Sequence, residues 1–305
     1  MKNKCIIISH ANCNDGLCGA TIGYEKLSTE DKDVTVDFLN HGEEVEYLNN
    51  NVFTDNDTVY FIDFSFNREL TVKLAGMVKE VIVIDHHASA LDNLIGLDSE
   101  LDNLTLFMRM ENSGCALAHE YFGSSIPKDV VNYIEDRDIW NKALPNTDEI
   151  NAGISTLLKN NDMKSMYKLL YSGVDEALEI GKYLLAPQKK LVTNKLSKLM
   201  DVVVNNVPMK AVNATEYISE IGNAICLEYG VPALMYFITN EGEVVCSLRS
   251  TDDLPSAKDI AVTFGGGGHR NACGMKITLI ELSVLLTVRD INADGSDGDW
   301  GIDKQ

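Results

Sequence analysis

The feature that most constrains this chain is an alternation, near its N-terminus, of short continuously apolar runs with segments of helical periodicity. The runs are Lys4–Ser9 (KCIIIS), Val34–Leu39 (VTVDFL), Thr58–Phe64 (TVYFIDF) and Glu80–Asp85 (EVIVID). Between them lie candidate helices at Asp15–Leu27, Glu43–Asn49 and Arg68–Met77. Most of these runs are too uniformly apolar for a sheet with one wet face. Strand, helix, strand in this order predicts an α/β fold with a doubly wound, mostly parallel sheet. Such a sheet holds its ligand crevice beyond the carboxyl ends of its strands. The chemically loaded residues stand at those ends: His10 to Asp15 after the first run, Asp63 at the end of the third, and Asp85, His86 and His87 at the end of the fourth.

Downstream the pattern changes. From Ser113 the chain reads as helical through SGCALAHEYF and KDVVNYIEDRDIW, then over Asp148–Leu158 and Met163–Tyr171. The charged stretch Asp175–Met200 is expected to form two helices broken near Pro187, because proline cannot donate to the helix ladder and pushes its predecessor out of helical geometry. That break sets the expected limits: 1–187 as a first domain, 188–205 as a linker, 206–290 as a smaller α/β domain and 291–305 as a disordered acidic tail. Beyond the break, strands at Asp201–Val204, Lys210–Asn213, Ala233–Thr239 and Glu243–Arg249 are expected around a helix at Tyr217–Tyr229, with a glycine-rich turn after a helix at Ser256–Thr263.

Charge narrows the partners. Of 305 residues, 46 are acidic and 26 basic, a formal charge of −20. Gripping long duplex nucleic acid requires many cationic contacts with phosphate, and the densest basic cluster here is Lys189-Lys190. The excess acid either keeps the protein dissolved or converges locally on divalent metal. The seven cysteines, Cys5, Cys13, Cys18, Cys115, Cys226, Cys246 and Cys273, include no CxxC pair and read as reduced thiols. No apolar run approaches the roughly 18 residues of a membrane span. A soluble, cytoplasmic protein is the expectation.

Several clusters carry chemistry. HANCNDG (His10–Gly16) opens with an imidazole and ends in an acid before Gly16, although taken alone it reads more simply as an Asn/Asp turn with Asp15 as a helix cap. Asp63 interrupts an apolar strand and requires a cap or a cation. His86 and His87 are adjacent and point in opposite directions, so one can face metal and the other substrate. Glu135–Trp140 (EDRDIW) reads alone as a solvated helix face. FGGGGHRNACG (Phe264–Gly274) offers glycine amides as an anion nest, followed by His269 and Arg270. His119 is expected on a helix surface, His41 as an ordinary loop residue, and Trp140 and Phe66 as core or rim aromatics.

The joint order of these motifs resembles the DHH phosphoesterase superfamily, from His10 to about Ile277. The naming motif stands as Asp85-His86-His87, after an HxxCxDG motif and the Asp63 motif, and Gly265–Gly274 is similar to the signature of the DHH-associated C-terminal domain. The resemblance implies a metal-binding first domain with two divalent ions, manganese foremost and magnesium or cobalt as alternatives. It puts His10 and Asp63 on the first ion and Asp15, Asp63, His86 and Asp136 on the second, with Asp63 bridging. Asp85 then orients a ligand histidine, and His87 meets the substrate phosphate or assists the leaving group. Cys13 stands where many relatives carry an aspartate, giving the first ion a soft thiolate or no ligand. Asp138 competes with Asp136, which is preferred on its spacing from Trp140. In the second domain, Arg249, His269 and the amides of Gly266, Gly267 and Gly268 are the implied substrate contacts, with Arg270 a further candidate.

The implied activity is a manganese-dependent phosphodiesterase that hydrolyses short oligonucleotides or small nucleotidic phosphoesters by a hydroxide activated between two metals. Two alternatives stand beside it: a catalytically weakened binding or scaffold protein, suggested by Cys13, and a cyclic-dinucleotide phosphodiesterase or pyrophosphatase. Long duplex nucleic acid and membranes are not expected partners, and a homodimer is left open.

Overall fold

The computed structural model describes residues 4–30 and 32–287; the acidic tail expected at 291–305 lies outside the described residues. The chain divides into two compact units, one ending at Leu185 and the other starting at Ala186.

The first unit opens with β1 (Lys4–His10), α1 (Asn14–Thr29), β2 (Asp33–Leu39), α2 (Glu44–Asn50), β3 (Thr58–Ile62), α3 (Arg68–Ala75), β4 (Glu80–Asp85), α4 (Ala88–Leu94) and β5 (Leu104–Met108). Helices α5 (Gly114–Tyr121), α6 (Asp129–Asp138), α7 (Thr147–Leu157), α8 (Met163–Ser172) and α9 (Asp175–Leu196) follow. The strands form a parallel sheet in the order β2-β1-β3-β4-β5. Alternate strand residues enter opposite cores: Ile7, Ile62, Ile82 and Ile84 pack with Leu17, Leu117, Ile134 and Ile154, whereas Ile8, Phe61, Val81 and Val83 pack with Leu48, Leu74 and Leu94. Both faces are covered, which is why the inner strands read as unbroken apolar runs rather than alternating ones. Both edge strands bury a single residue, Leu39 in β2 and Leu104 in β5, and β5 is the one the sequence did not reveal.

The two-helix expectation for Asp175–Met200 is corrected, because α9 runs unbroken to Leu196 with Pro187 inside it. The ladder bond that proline cannot make is the one to the carbonyl of Tyr183, and that residue is 87% exposed, so water can take its place. Residues 188–205, set apart as a linker, hold the end of α9 and the first strand of the second unit, Met200–Val204, where a strand at Asp201–Val204 was expected.

That unit contains β6 (Met200–Val204), β7 (Val207–Asn213), α10 (Ile218–Tyr229), β8 (Ala233–Ile238), β9 (Val244–Arg249), α11 (Ala257–Val262), β10 (Gly267–His269), β11 (Ala272–Ile277) and α12 (Leu279–Thr287). Its mixed sheet has the order β10-β11-β9-β8-β7-β6, with β7 and β8 parallel and the other pairs antiparallel. Among the described residues no helix is long and apolar enough to cross a membrane.

Candidate metal centre

The sheet reverses its winding between β1 and β3, and the candidate residues gather at the carboxyl ends there. His10 closes β1, Asp63 directly follows β3, and Asp85 closes β4 with His86 and His87 behind it. The buried Ser9 hydroxyl lies 2.8 Å from the Gly16 carbonyl oxygen and 2.7 Å from that of Ile62, tying the turn into α1 to β3. Asp15 sits in the first turn of α1 but does not cap that helix. Its carboxylate instead accepts the Gly114 N–H at 2.6 Å and the Cys115 N–H at 2.9 Å, so the start of α5 holds it in place. A Cβ on Gly114 would lie 2.5 Å from Asp63 Cβ and 3.0 Å from Asp15 Oδ2, so this approach requires glycine.

Asp63 is 2% exposed and takes a left-handed φ of +54°, an arrangement that costs on the order of 1 kcal/mol and persists only where the surroundings impose it. Its Oδ2 accepts the Cys13 thiol at 3.4 Å, whereas its Oδ1 is buried without a hydrogen-bond partner. Around it, His10, Cys13 and Asp63 form one group able to hold a metal ion, and Asp15, His86 and Asp138 form another. Asp63, His86 and His87 form a third that overlaps both. The His86 Nε2 lies 3.3 Å from Asp63 Oδ1, 3.3 Å from Asp138 Oδ2 and 3.8 Å from Asp15 Oδ2. Crowding shows in the acid–base behaviour. Burial, then the Asp15 carboxylate, pushes Asp63 well above the usual carboxylate range, and the same causes push Asp138 up to about 6. Burial, reinforced by Asp63 and Asp15, also pushes the Cys13 thiol up, and burial pulls His10 down with His41 and His87 adding to it. A buried acceptor without a hydrogen bond, among imidazoles and among carboxylates that repel one another when ionised, fits a divalent cation. The oxygen and nitrogen donors suit manganese or magnesium, and the thiol is the one soft atom among them.

The structure places Asp136 and Asp138 in different surroundings. Asp136 accepts the Ala143 N–H at 2.8 Å, the Leu144 N–H at 3.1 Å and the Thr147 hydroxyl, so its carboxylate holds the loop after α6. Burial raises its pKa, but these three bonds outweigh burial and leave it lowered. Asp138 instead faces His86. Asp85 serves His87 rather than a ligand of the main groups: its Oδ1 accepts His87 Nδ1 at 2.7 Å and the N–H groups of His86 and His87 at 2.7 and 3.2 Å. Two histidines depart from expectation. His41 is no ordinary loop residue, since its ring lies 5.2 Å from that of His10 and stacks on Phe64 at 5.0 Å. The signal was the parallel register that pairs His10 with Leu39, two residues before it. His119 is buried, with Nε2 2.8 Å from the Ile126 carbonyl oxygen, and Phe66 belongs to the core while Trp140 is exposed.

In the second unit the expected contacts behave differently. Arg249 Nη2 donates to Ser219 Oγ at 3.1 Å and its Nη1 to the Leu248 carbonyl at 2.8 Å. The Gly266 amide is not available to a ligand, because it donates to the Ala261 carbonyl at 2.9 Å. Gly267, Gly268 and His269 form the exposed edge strand β10 rather than an open nest. Arg270 is taken up by the loop before α11, donating to the carbonyls of Thr251, Asp252 and Leu254 at 2.8, 3.0 and 3.2 Å.

No family model matches the chain. An uncharacterized protein of Acanthamoeba polyphaga mimivirus is 28% identical over 298 residues, spanning 90% of this chain and 68% of that protein. Among solved structures, the pGpG-specific phosphodiesterase PggH of Vibrio cholerae matches with a TM-score of 0.54 at 12% identity, over 93% of this chain and 96% of its own. A likeness at that identity speaks to the fold alone: the two chains share one α/β architecture along nearly their whole lengths.

Proposed function

We propose that this chain is a divalent-metal-dependent phosphodiesterase that hydrolyses short oligonucleotides or small nucleotidic phosphoesters. The observation that carries this reading is the buried, unpartnered Asp63 Oδ1 at the meeting point of the groups formed by His10, Cys13, Asp15, His86 and Asp138. A fold shared with a phosphodiesterase specific for pGpG supports a small substrate, as does the net charge of −20.

Two ions are proposed, one that would be held among His10, Cys13 and Asp63 and one among Asp15, His86 and Asp138; Asp63 and His86 also group with His87 between them. When bound, divalent ions, manganese foremost, would supply Lewis acidity at a phosphoryl oxygen and make a bound water more acidic. The remaining work falls to the chain. The start of α5 fixes the Asp15 carboxylate, and Cys13 and Gly114 pack Asp63 into its one geometry. Asp85 fixes the His87 ring through Nδ1, which leaves Nε2 for the substrate. That bond raises the His87 pKa above its ordinary value, so the ring keeps a proton to pass to the departing oxygen. Burial raises Asp85, but the hydrogen bonds from His87 and His86 outweigh it and hold the carboxyl low, so it remains the acceptor.

The test is a manganese-supplemented screen of di- to pentanucleotides, a cyclic dinucleotide and pyrophosphate, with Asp63→Asn as the control. Asparagine tolerates the left-handed backbone at this position, so the variant keeps the fold and loses the charge. Wild-type protein is expected to release mononucleotides and the variant to be inactive with manganese binding lost in calorimetry. Equal background rates from the two proteins would leave only a binding protein of this fold.

A further inference from the structure

Among the described residues, two buried side-chain atoms lack a hydrogen-bond partner: Asp63 Oδ1, which the metal centre accounts for, and Arg137 Nη1. The second is a cationic donor next in sequence to Asp138, and it belongs to a built platform in the loop after α6. The Arg137 guanidinium lies 4.4 Å and the Lys142 ammonium 4.0 Å from the ring centroid of Trp140, a residue 56% exposed. Asp148 is the carboxylate both cations share, 3.7 Å from Arg137 Nη1 and 3.0 Å from Lys142 Nζ. The loop is strained as well as charged: Trp140, Lys142 and Asn146 have φ of +59°, +49° and +62°. Left-handed backbone at non-glycine residues persists only where contacts over-determine it, and here Asp136 does so. Its carboxylate receives Ala143, Leu144 and Thr147, and its carbonyl receives the Lys142 N–H at 3.0 Å. A rigid turn therefore displays two cations on an aromatic ring, directly after a residue of the metal centre, in a chain where acid outnumbers base 46 to 26.

We propose that Arg137 and Lys142, held on Trp140, form an anion clamp that receives a phosphate of the nucleotidic substrate, and that Asp148 is the internal carboxylate this phosphate displaces. The chemistry is complementary: a guanidinium matches two phosphate oxygens at once, and the ammonium adds a point charge. Asp148 accepts a hydrogen bond from Lys142 Nζ at 3.0 Å, but at 3.7 Å it leaves Arg137 Nη1 without one. A dianionic phosphate offers more charge and more acceptors than one carboxylate. The inference rests on the functional reading above, naming residues that grip the substrate of that same centre.

Two measurements test it. Steady-state kinetics on a 5′-phosphorylated dinucleotide should show Lys142→Met and Arg137→Met raising KM about ten- to hundredfold, the effect of losing a hydrogen bond to a charged group. Asp148→Asn should lower KM, because the internal competitor is weakened. The second measurement does not depend on turnover. The chain has two tryptophans, Trp140 and Trp300, so in a Trp300→Phe background the emission reports on Trp140 alone. Titration with the same dinucleotide is expected to change that emission, and Lys142→Met to abolish the change. An active enzyme whose KM stays within about twofold in all three variants would overturn the clamp and leave the phosphodiesterase reading intact. A wild-type protein that hydrolyses nothing would sink that reading; the emission titration then decides the clamp separately, upheld by a Lys142-dependent response and rejected by none.

Discussion

The candidate metal centre of the first unit and the glycine-rich corner of the second are built from similar material, namely histidines, charged side chains and glycines at the ends of strands. Their polar groups differ in what they still require. At the first, Asp63 Oδ1 has no hydrogen-bond partner and two carboxyls sit above their usual pKa range. At the second, Arg270 spends itself on the carbonyls of Thr251, Asp252 and Leu254, and the Gly266 amide on that of Ala261. Residue type alone marks both as candidates. Unmet demand separates a group poised for a ligand from one that holds a loop, because a buried polar group left unpaired costs free energy that folding alone would not leave uncompensated.

Glycine substitutions offer the sharpest way to break this contrast. Gly114→Ala puts a methyl group 2.5 Å from Asp63 Cβ and should abolish manganese binding while costing about 1–3 kcal/mol of stability. At Gly267 a methyl group meets nothing within 4 Å, so Gly267→Ala should stay within about 0.5 kcal/mol of wild type in urea unfolding and bind manganese normally. Similar losses from the two variants would mean that the glycine-rich corner is as tightly built as the metal centre.

How much of this was legible in the sequence follows from the range of the interactions. The parallel sheet and the residues at its strand ends were readable, because burial on both faces writes itself into consecutive residues such as Ile6, Ile7 and Ile8. Asp136 and Asp138 were not separable by spacing. They sit two positions apart near the end of α6, and the choice depends on a loop that returns to claim one of them through Ala143, Leu144 and Thr147. His41 escaped for a related reason: its neighbour His10 lies on another strand, and only the register of β1 with β2 brings them together. Pro187 misled because the rule against proline in helices concerns a bond that exposed backbone can exchange for water.

The same pair of aspartates gives the next largest effect. Asp138→Asn should weaken manganese binding about 10- to 100-fold, the range seen when groups that support a metal site are removed, with no loss of stability in the metal-free protein. Asp136→Asn should do the reverse, costing about 1–3 kcal/mol through its loop hydrogen bonds and leaving manganese affinity near wild type. Calorimetric metal titration beside urea unfolding reads both, and an unaltered affinity in Asp138→Asn would return the ligand assignment to Asp136.

The smallest effect is a pH dependence confined to metal-free protein. Asp138, at about 6, and Asp63, well above the usual range, are both raised in the folded state, whereas an unfolded aspartate titrates near about 3.9. For a carboxyl raised on folding, the folded state binds more protons than the unfolded one between those two values. Its contribution to stability is therefore complete below about pH 3.9 and is lost as the pH rises through about 6. Asp136 runs the other way: lowered on folding, it stabilises above its unfolded value and gives that up as the pH falls through its folded one. Chelated wild-type protein should accordingly lose stability between about pH 4 and 6.5 relative to Asp138→Asn, in which one of the raised carboxyls is gone. Saturating manganese should erase the difference, since a bound cation favours the ionised carboxylates that otherwise repel one another. Parallel stability profiles for the two metal-free proteins would show that Asp138 does not share the crowded field of Asp15, and the account of the centre as a cluster of unmet negative charge would lose that member.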